Sequence, residues 1–487
     1  MYKKKRNTQF KLSDFNQPIG LRMNKENRWI KKAEKIPWDD IEDKYASLFE
    51  STTGTVAKPL RMALGSLIIQ TEYSYSDREL VAQIQENPYY QFFIGLTGYQ
   101  VEAPYVPSLL VEFRKRLTPE ILGDINEMIT SRKDDDHNHG GGSGKPGSSD
   151  NEAEEQENKG TVILDATCAP QNISFPQDTH LLNECREKLE DIIDIICETN
   201  SLEKPRTYRR EARKDFLNIA RSRKRTTAKI RKAIRKQLQY IRRDFSYIDG
   251  YLSNGYTLKP KQGLLLCVLR TLYSQQKSMY EEKSHSVPDR IVSISQPYIR
   301  PIVRGKASAT VEFGAKLDIS IVEGFARIEK LSFDAYNESE VLQSAVNRYH
   351  EKYGHYPQKV LADKIYRNRD NLNFCKLHGI RLSGPSLGRP KKDVEVDRKE
   401  EYRDNCDRVE VERAFSLAKR SYGLGLIRTR LEETTKHAIA LSILAMNLNK
   451  VSLRQILYSF LRLYKTKIQM IYRKDFRNIS NIYRLAN

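Results

Sequence analysis

Two aspartates follow short apolar runs: Asp165 in VILDAT and Asp363 in KVLADKIY. Runs rich in Val, Ile and Leu predict short buried strands, and a strand end holds a reactive group rigidly. A third acid, Glu412, falls in a stretch predicted to be helical over 403–422. Carboxylates from separate elements suit phosphodiester chemistry, which must stabilise an attacking and a leaving oxygen on one phosphorus. Two Mg²⁺ ions about 4 Å apart can do this, and Mg²⁺ takes hard oxygen ligands. No nucleophilic side chain is then required. Arg408, Glu412 and Lys419 stand at i, i+4 and i+11, within roughly 40° of one another around the helix. That face would carry a carboxylate between two cations suited to phosphate. Plainer readings stand beside this one. An Asp between a strand and a helix is commonly an N-cap. Arg408 and Glu412 could be an ordinary i,i+4 pair. Asp178 and Glu410 are rival carboxylates, although Glu410 points about 160° away from Glu412.

The elements that must position these acids can be read from periodicity. From Ala309 to Ile321 the odd positions are apolar and the even ones are Thr, Glu, Gly, Lys, Asp and Ser, which predicts a half-buried strand. Glu323-Gly324 reads as a hairpin turn, with Phe325 to Phe333 returning. A helix is expected at Ser339 to Tyr353, a strand at Val360 to Ala362, a helix at Arg367 to Leu377 and a strand at Ile380 to Leu382. The last helix is expected at Glu433 to Lys450. The order strand, helical stretch, hairpin, helix, strand, helix, strand, helix is compatible with an RNase H-like α/β core over 161–450.

Between the first strand and the hairpin, about 180–287 reads as a basic, all-helical insertion. Ile230, Ile234, Leu238 and Ile241 recur at helical spacing, so one face can pack while Arg231, Lys232, Arg235 and Lys236 present charge. Such lopsided charge favours contact with DNA phosphates over a merely solvated face. Residues 25–130 read as an all-α domain: Pro59 opens an apolar helix, Ser76-Asp77-Arg78-Glu79 has the form of a capping box, and Ser108 to Leu117 carries Arg114, Lys115 and Arg116. A basic helix end suits helix-turn-helix DNA binding, though many helical domains share it. Residues 134–160 are rich in Gly, Ser and acid and read as a flexible linker. Its His137-Asn138-His139 echoes a nuclease motif without the ordered walls a metal site needs. Residues 451–487 form a basic tail.

Composition narrows the partner. The 487 residues carry a net charge of +20, which points to a polyanion, most commonly nucleic acid. Hydrophobic residues make up 39%, enough for a sizeable core. The six cysteines are scattered with no CxxC pair, so neither a zinc ribbon nor a disulfide scaffold is expected, and a reducing cytoplasm is the simplest compartment. No signal peptide is expected from the polar N-terminus, and the longest apolar stretch, Gly263 to Leu269, is too short for a bilayer.

Several motifs, taken in order, carry a family resemblance: SYSDRELVAQIQENPYYQFFIGL, LDATCAPQNISFPQD, KPRTYRREARKDFL, VRGKASATVEFGAKL, LADKIYRNRDN, IRLSGPSLGRPKK and RVEVERAFSLAKRSYGL. The chain resembles bacterial insertion-sequence DDE transposases of the insertion-sequence 5 group, InsH-like in the wider sense. The resemblance implies an α/β RNase H-like catalytic core with a basic all-helical insertion, preceded by an all-α N-terminal DNA-binding domain. It implies that Asp165, Asp363 and Glu412 are the catalytic, metal-holding triad for two Mg²⁺ ions, with Mn²⁺ able to substitute. The Y-x₂-R-x₃-E-x₆-K signature fits Arg408, Glu412 and Lys419, with Asn405 where the tyrosine would stand. It implies a bacterial, nucleoid-associated protein that binds terminal inverted repeats and target DNA, as a homodimer when assembled on DNA, with no membrane partner. The rivals are a transposase-derived repressor without catalysis and a nuclease that cuts but does not join.

Overall fold

A computed structural model describes residues 2–4, 8–47, 49, 56–131, 157–303, 311–384 and 398–451. The 134–160 stretch thus lies outside the described residues except for 157–160, and the 451–487 stretch except for 451.

Seven helices come first: α1 (Arg28–Lys35), α2 (Trp38–Ala46), α3 (Leu60–Tyr73), α4 (Asp77–Glu86), α5 (Pro88–Phe93), α6 (Leu109–Arg116) and α7 (Pro119–Ser131). Pro59 caps α3, whose fixed φ costs nothing where no N–H partner is due. α3 is buried all round from Leu60 to Ile69, so its neighbours wrap it. Even Arg61 is enclosed. Its guanidinium donates to the carbonyls of Thr8, Phe92 (2.9 Å) and Phe93 (3.0 Å) and faces the rings of Phe10, Trp38 and Phe92. α4 starts where its sequence predicts, with the Ser76 hydroxyl accepting from the Glu79 N–H at 3.2 Å, but the Glu79 carboxylate accepts from Gln83 at 3.0 Å and does not complete the capping box. Arg114 of α6 is ion-paired with Asp77 and donates to Gln70 at 2.9 Å, so this cation of the basic helix end ties helices together.

Four helices follow the first strand: α8 (Asp178–Thr199), α9 (Arg209–Ala220), α10 (Thr227–Ser253) and α11 (Pro260–Glu282). Leu238, Ile241, Phe245 and Ile248 of α10 pack with Leu182, Leu189 and Ile193 of α8 and Leu269 and Leu272 of α11. Inside this bundle Asp244 is fully buried, and neither carboxylate oxygen has a hydrogen-bond partner among the described residues. Burial, with Glu190 adding, pushes its carboxyl up to about 8, against the pull of Arg186, Arg243 and Arg209. An unfolded Asp ionises near about 4. Between those values the folded state holds a proton that the unfolded state has released. Stability therefore falls as pH rises through this window and levels off above about 8, a span of a few kcal/mol. Thermal melts from pH 5 to 8 should show this slope, and Asp244→Asn should flatten it.

The strands are β1 (Thr161–Pro170), β2 (Arg300–Val303), β3 (Val311–Val322), β4 (Phe325–Ser332), β5 (Lys359–Leu361) and β6 (Arg381–Leu382). β3 is the hub. β1 runs antiparallel along one edge, from Val162 opposite Val322 to Pro170 opposite Gly314. The other edge pairs with β4 along 316–322 and with β2 along 311–314. A Cβ on Gly314 would lie 2.1 Å from the Ala169 carbonyl oxygen, so no side chain fits at this crossing. Beyond β1 the direction changes: β5 is parallel to β1 and β6 parallel to β5. Glu323 and Gly324 both have positive φ, 51° and 82°, as a two-residue hairpin turn requires.

Both faces of the sheet are covered. α12 (Val341–Tyr353) and α13 (Arg369–Leu377) pack on the side of Val162, Leu164, Val360 and Ala362. α14 (Arg398–Ser421) and α15 (432–451) pack on the side of Ile163, Leu317, Ile319 and Leu361 through Val411, Phe415, Ala418, Ile439 and Ile443. The opposite side of α15 puts Ala440, Leu441, Leu444 and Leu448 into the core of the N-terminal helices. No helix among the described residues is long and apolar enough to cross a membrane.

Candidate functional site

Asp165 sits within β1, not at its end, because β1 continues to Pro170 along β3. The pairing with β5 does stop just before it, at Ile163 opposite Leu361. Two residues further on each chain come Asp165 and Asp363, side by side where the parallel pair opens. Alternation puts Asp165 on the Ile163 face, the one that α14 covers. The Asp165 carboxylate accepts from the Ala166 N–H at 2.8 Å. Burial pushes its carboxyl up to about 6; the Ala166 N–H and Arg408 oppose this, while Asp363 and Glu338 add to it. Asp363 is exposed and caps the short turn Lys364–Tyr366, accepting from the Lys364 N–H at 2.7 Å. It is an N-cap, as the plain reading has it, and it also faces the neighbouring acid. Arg408 of α14 reaches it, with Nη1 3.1 Å from Oδ1.

Glu412 lies one helical turn beyond Arg408, exposed, between the buried Val411 and Phe415. It does not join the two aspartates: among the described residues no three His, Cys, Asp or Glu side chains gather to hold a metal. The structure thus brings together Asp165, Asp363 and Arg408 and leaves Glu412 on the adjoining turn. The i,i+4 pairing of Arg408 with Glu412 is replaced by the contact with Asp363. The rival acids are engaged elsewhere, Asp178 with Arg290 (2.6 Å) and Gln276 (3.0 Å) and Glu410 with Lys450 (2.9 Å).

Of the four α10 cations that the sequence singles out, Lys232 and Arg235 are exposed. Arg231 instead stacks over Tyr280 and donates to its carbonyl at 3.1 Å, and Lys236 pairs with Asp215 at 2.7 Å.

Four site neighbours escape sequence reasoning. Asp318 is wholly buried on β3 and accepts from the hydroxyls of Tyr336 and Tyr366, the latter at 2.6 Å. Tyr366 ends the turn that Asp363 begins, so this hydrogen bond pins that turn to the strand beside Asp165. Asp318 stands on the polar side of the 309–321 alternation, which reads as facing solvent; helix packing on that side encloses it instead. Glu338, near enough to Asp165 to raise its pKa, pairs with Lys316 at 2.9 Å. Only the alternation hinted at any of these.

The comparisons with known proteins bear on both halves of this arrangement. Residues 360–449, which include Asp363 and Glu412, match the family described as Transposase DDE domain. Residues 19–116 match Transposase domain (DUF772). The two matched regions are thus similar to transposase domains, the C-terminal one to a DDE domain. A protein of Rhizobium meliloti described as "Uncharacterized protein ORF8 in nfe locus" is 29% identical over 111 residues, 23% of this chain and 53% of that protein. The chain thus spans about half the length of this curated relative. No solved structure matches the chain significantly.

Proposed function

We propose that the chain is a DNA transposase of the insertion-sequence 5 group. In this reading it binds the terminal inverted repeats of its element, cuts the strand there and joins the freed 3′-hydroxyl to target DNA. The observation that carries it is the placement of Asp165 and Asp363 where two parallel strands part, under the helix that bears Arg408, Glu412 and Lys419. The strand order supports an RNase H-like core: β1, β2 and β4 joined antiparallel through β3, then β5 and β6 parallel to β1. The α8–α11 bundle is then an insertion into that core, and the N-terminal helices are a DNA-binding domain. The boundaries are 25–130, 134–160, 161–450 and 451–487, with the insertion at about 180–287.

The donor set suits a divalent hard cation, since all three acids are carboxylates and a cation beside Asp165 would oppose the burial, and the nearby Asp363 and Glu338, that raise its carboxyl. Asp165 and Asp363 lie where the parallel strands part, Asp363 being paired with Arg408, and since no three possible ligands gather among the described residues, Glu412 would have to move toward them for a three-acid site. Mg²⁺ held there, with Mn²⁺ as substitute, would supply charge stabilisation to the attacking and leaving oxygens. Arg408, already at Asp363, is placed to hold a phosphate beside the acids, and Lys419 to hold the next stretch of backbone. Lys232 and Arg235 would grip phosphates further away, whereas Arg231 and Lys236 steady α10. Two DNA ends must meet for joining, so the assembly on DNA is a dimer. A nucleoid-associated, cytoplasmic place in a bacterium follows from that substrate.

The second reading, a DNA-binding repressor without catalysis, draws on Glu412 not gathering with the acidic pair among the described residues. Incubating the protein with Mg²⁺ and a duplex carrying the element's own ends decides between them. Cut and joined products support the transposase, cut products alone a nuclease, and binding without cutting the repressor.

A further inference from the structure

We infer that the cleft between the N-terminal helices and the far end of α14 is a second contact for the DNA strand, taking phosphodiester backbone that runs on from the acidic pair. This rests on the transposase reading and adds a place to it. The cleft encloses about 740 Å³ and is walled by α3, the start of α4, α6, the end of α14, the 422–429 turn and α15. Arg114, Lys419, Arg420 and Arg428 line it against one acid, Asp77, whose charge Arg114 already matches. Arg420 and Arg428 leave the lining positive, which suits a polyanion and disfavours a cationic ligand.

Three features make the cleft more than a seam between two packed bodies. Lys419 stands seven residues beyond Glu412, about 10 Å along α14 and within roughly 20° of the same side, so the cleft opens in line with the candidate acids. The turn after α14 folds back tightly: Gly423 has φ +78°, and a Cβ on Gly425 would lie 2.6 Å from the Lys419 carbonyl oxygen. This return brings Arg428 to the same wall as Lys419 and Arg420. Finally, His437 is 2% exposed and lines the cleft. Its Nδ1 lies 2.6 Å from the Leu117 carbonyl oxygen and so carries the proton, while its Nε2 has no hydrogen-bond partner among the described residues. As an acceptor, that nitrogen would meet a phosphate only through the hydrogens of a bridging water.

The test uses full-length protein and a duplex carrying the element's own ends, with affinity measured across a range of salt concentrations. Each phosphate contact contributes about 0.9 to the slope of log affinity against log salt. Arg420→Gln with Arg428→Gln should lower that slope by about two and weaken binding about tenfold or more near 0.1 M salt. Arg420→Lys with Arg428→Lys keeps the charges and should restore both. Wild-type affinity and slope in the Gln variant, in a wild type that cuts and joins, would overturn this inference and leave the transposase reading standing. So would failure of the Lys variant to restore binding, because the loss would then be structural. A wild type that neither binds nor cuts overturns both.

Discussion

Glu412→Gln is expected to abolish cutting and joining of DNA ends while leaving affinity for those ends nearly unchanged. The amide keeps the size and hydrogen bonding of the carboxylate and removes the charge a cation needs. Losing one such ligand costs the reaction several kcal/mol of charge stabilisation, and about 4 kcal/mol is about a thousandfold in rate. The side chain is exposed on α14 and carries none of the core, so thermal stability should not move. Asp165→Asn should lose activity to a similar degree. Timed cleavage assays beside gel-shift binding separate the two effects. If Glu412→Gln cuts at the wild-type rate, Glu412 is not the third acid. Glu338, which already acts on Asp165, then becomes the carboxylate to replace.

Trp38→Ala is expected to destabilise the protein by about 3–5 kcal/mol, the usual range for an enclosed Trp. Trp38 has no exposed surface. Its indole N–H donates to the Ala33 carbonyl at 2.8 Å, its ring meets Phe93 edge-on with centroids 5.8 Å apart, and Arg61 lies 5.1 Å from the ring centre. Removing it opens a cavity beneath a buried guanidinium whose three carbonyl acceptors fix its place, so the wall cannot easily collapse. Chemical denaturation should show the lower midpoint. Leu431→Ala, at a residue 64% exposed, should change stability by less than about 0.5 kcal/mol in the same assay. Equal midpoints for the two variants would mean that the N-terminal core is not packed as described.

How much of this was legible beforehand depended on local pattern. The alternation from 309 to 321 locates β3, and Glu323-Gly324 locates its turn, because both are properties of a few adjacent residues. Ser76 and Glu79 announce α4 for the same reason. β2, only four residues long, leaves no such trace, and its place beside β3 is set by pairing with a distant strand. The extent of β1 is likewise a long-range matter: Asp165 looks like a strand end because the apolar run stops there, yet β3 carries the ladder five residues further. At the site, Asp165, Asp363 and Arg408 could be named from their neighbours in sequence, and they do converge. Asp318 and its two tyrosines could not, because nothing local says that the polar side of a strand will be roofed by a helix. The division of the α10 cations into exposed and engaged ones was hidden too, since the partners Tyr280 and Asp215 lie on other helices.

The position of α15 has a consequence for how the chain is made. Its Asn447 side chain donates to Asn126 of α7 (2.8 Å) and to the Ala326 carbonyl of β4 (2.6 Å), and accepts from the Ala326 N–H (3.0 Å). One helix therefore closes two cores, and the ribosome delivers it 301 residues after α7 ends, the interval from 131 to 432. At about 5–20 residues per second the N-terminal helices wait roughly 15–60 s in an open state. A transcript cut short anywhere before α15 yields no half-protein with a finished N-terminal domain, only chain with an unsealed core. Whatever activity the protein has thus depends on its complete translation through residue 448.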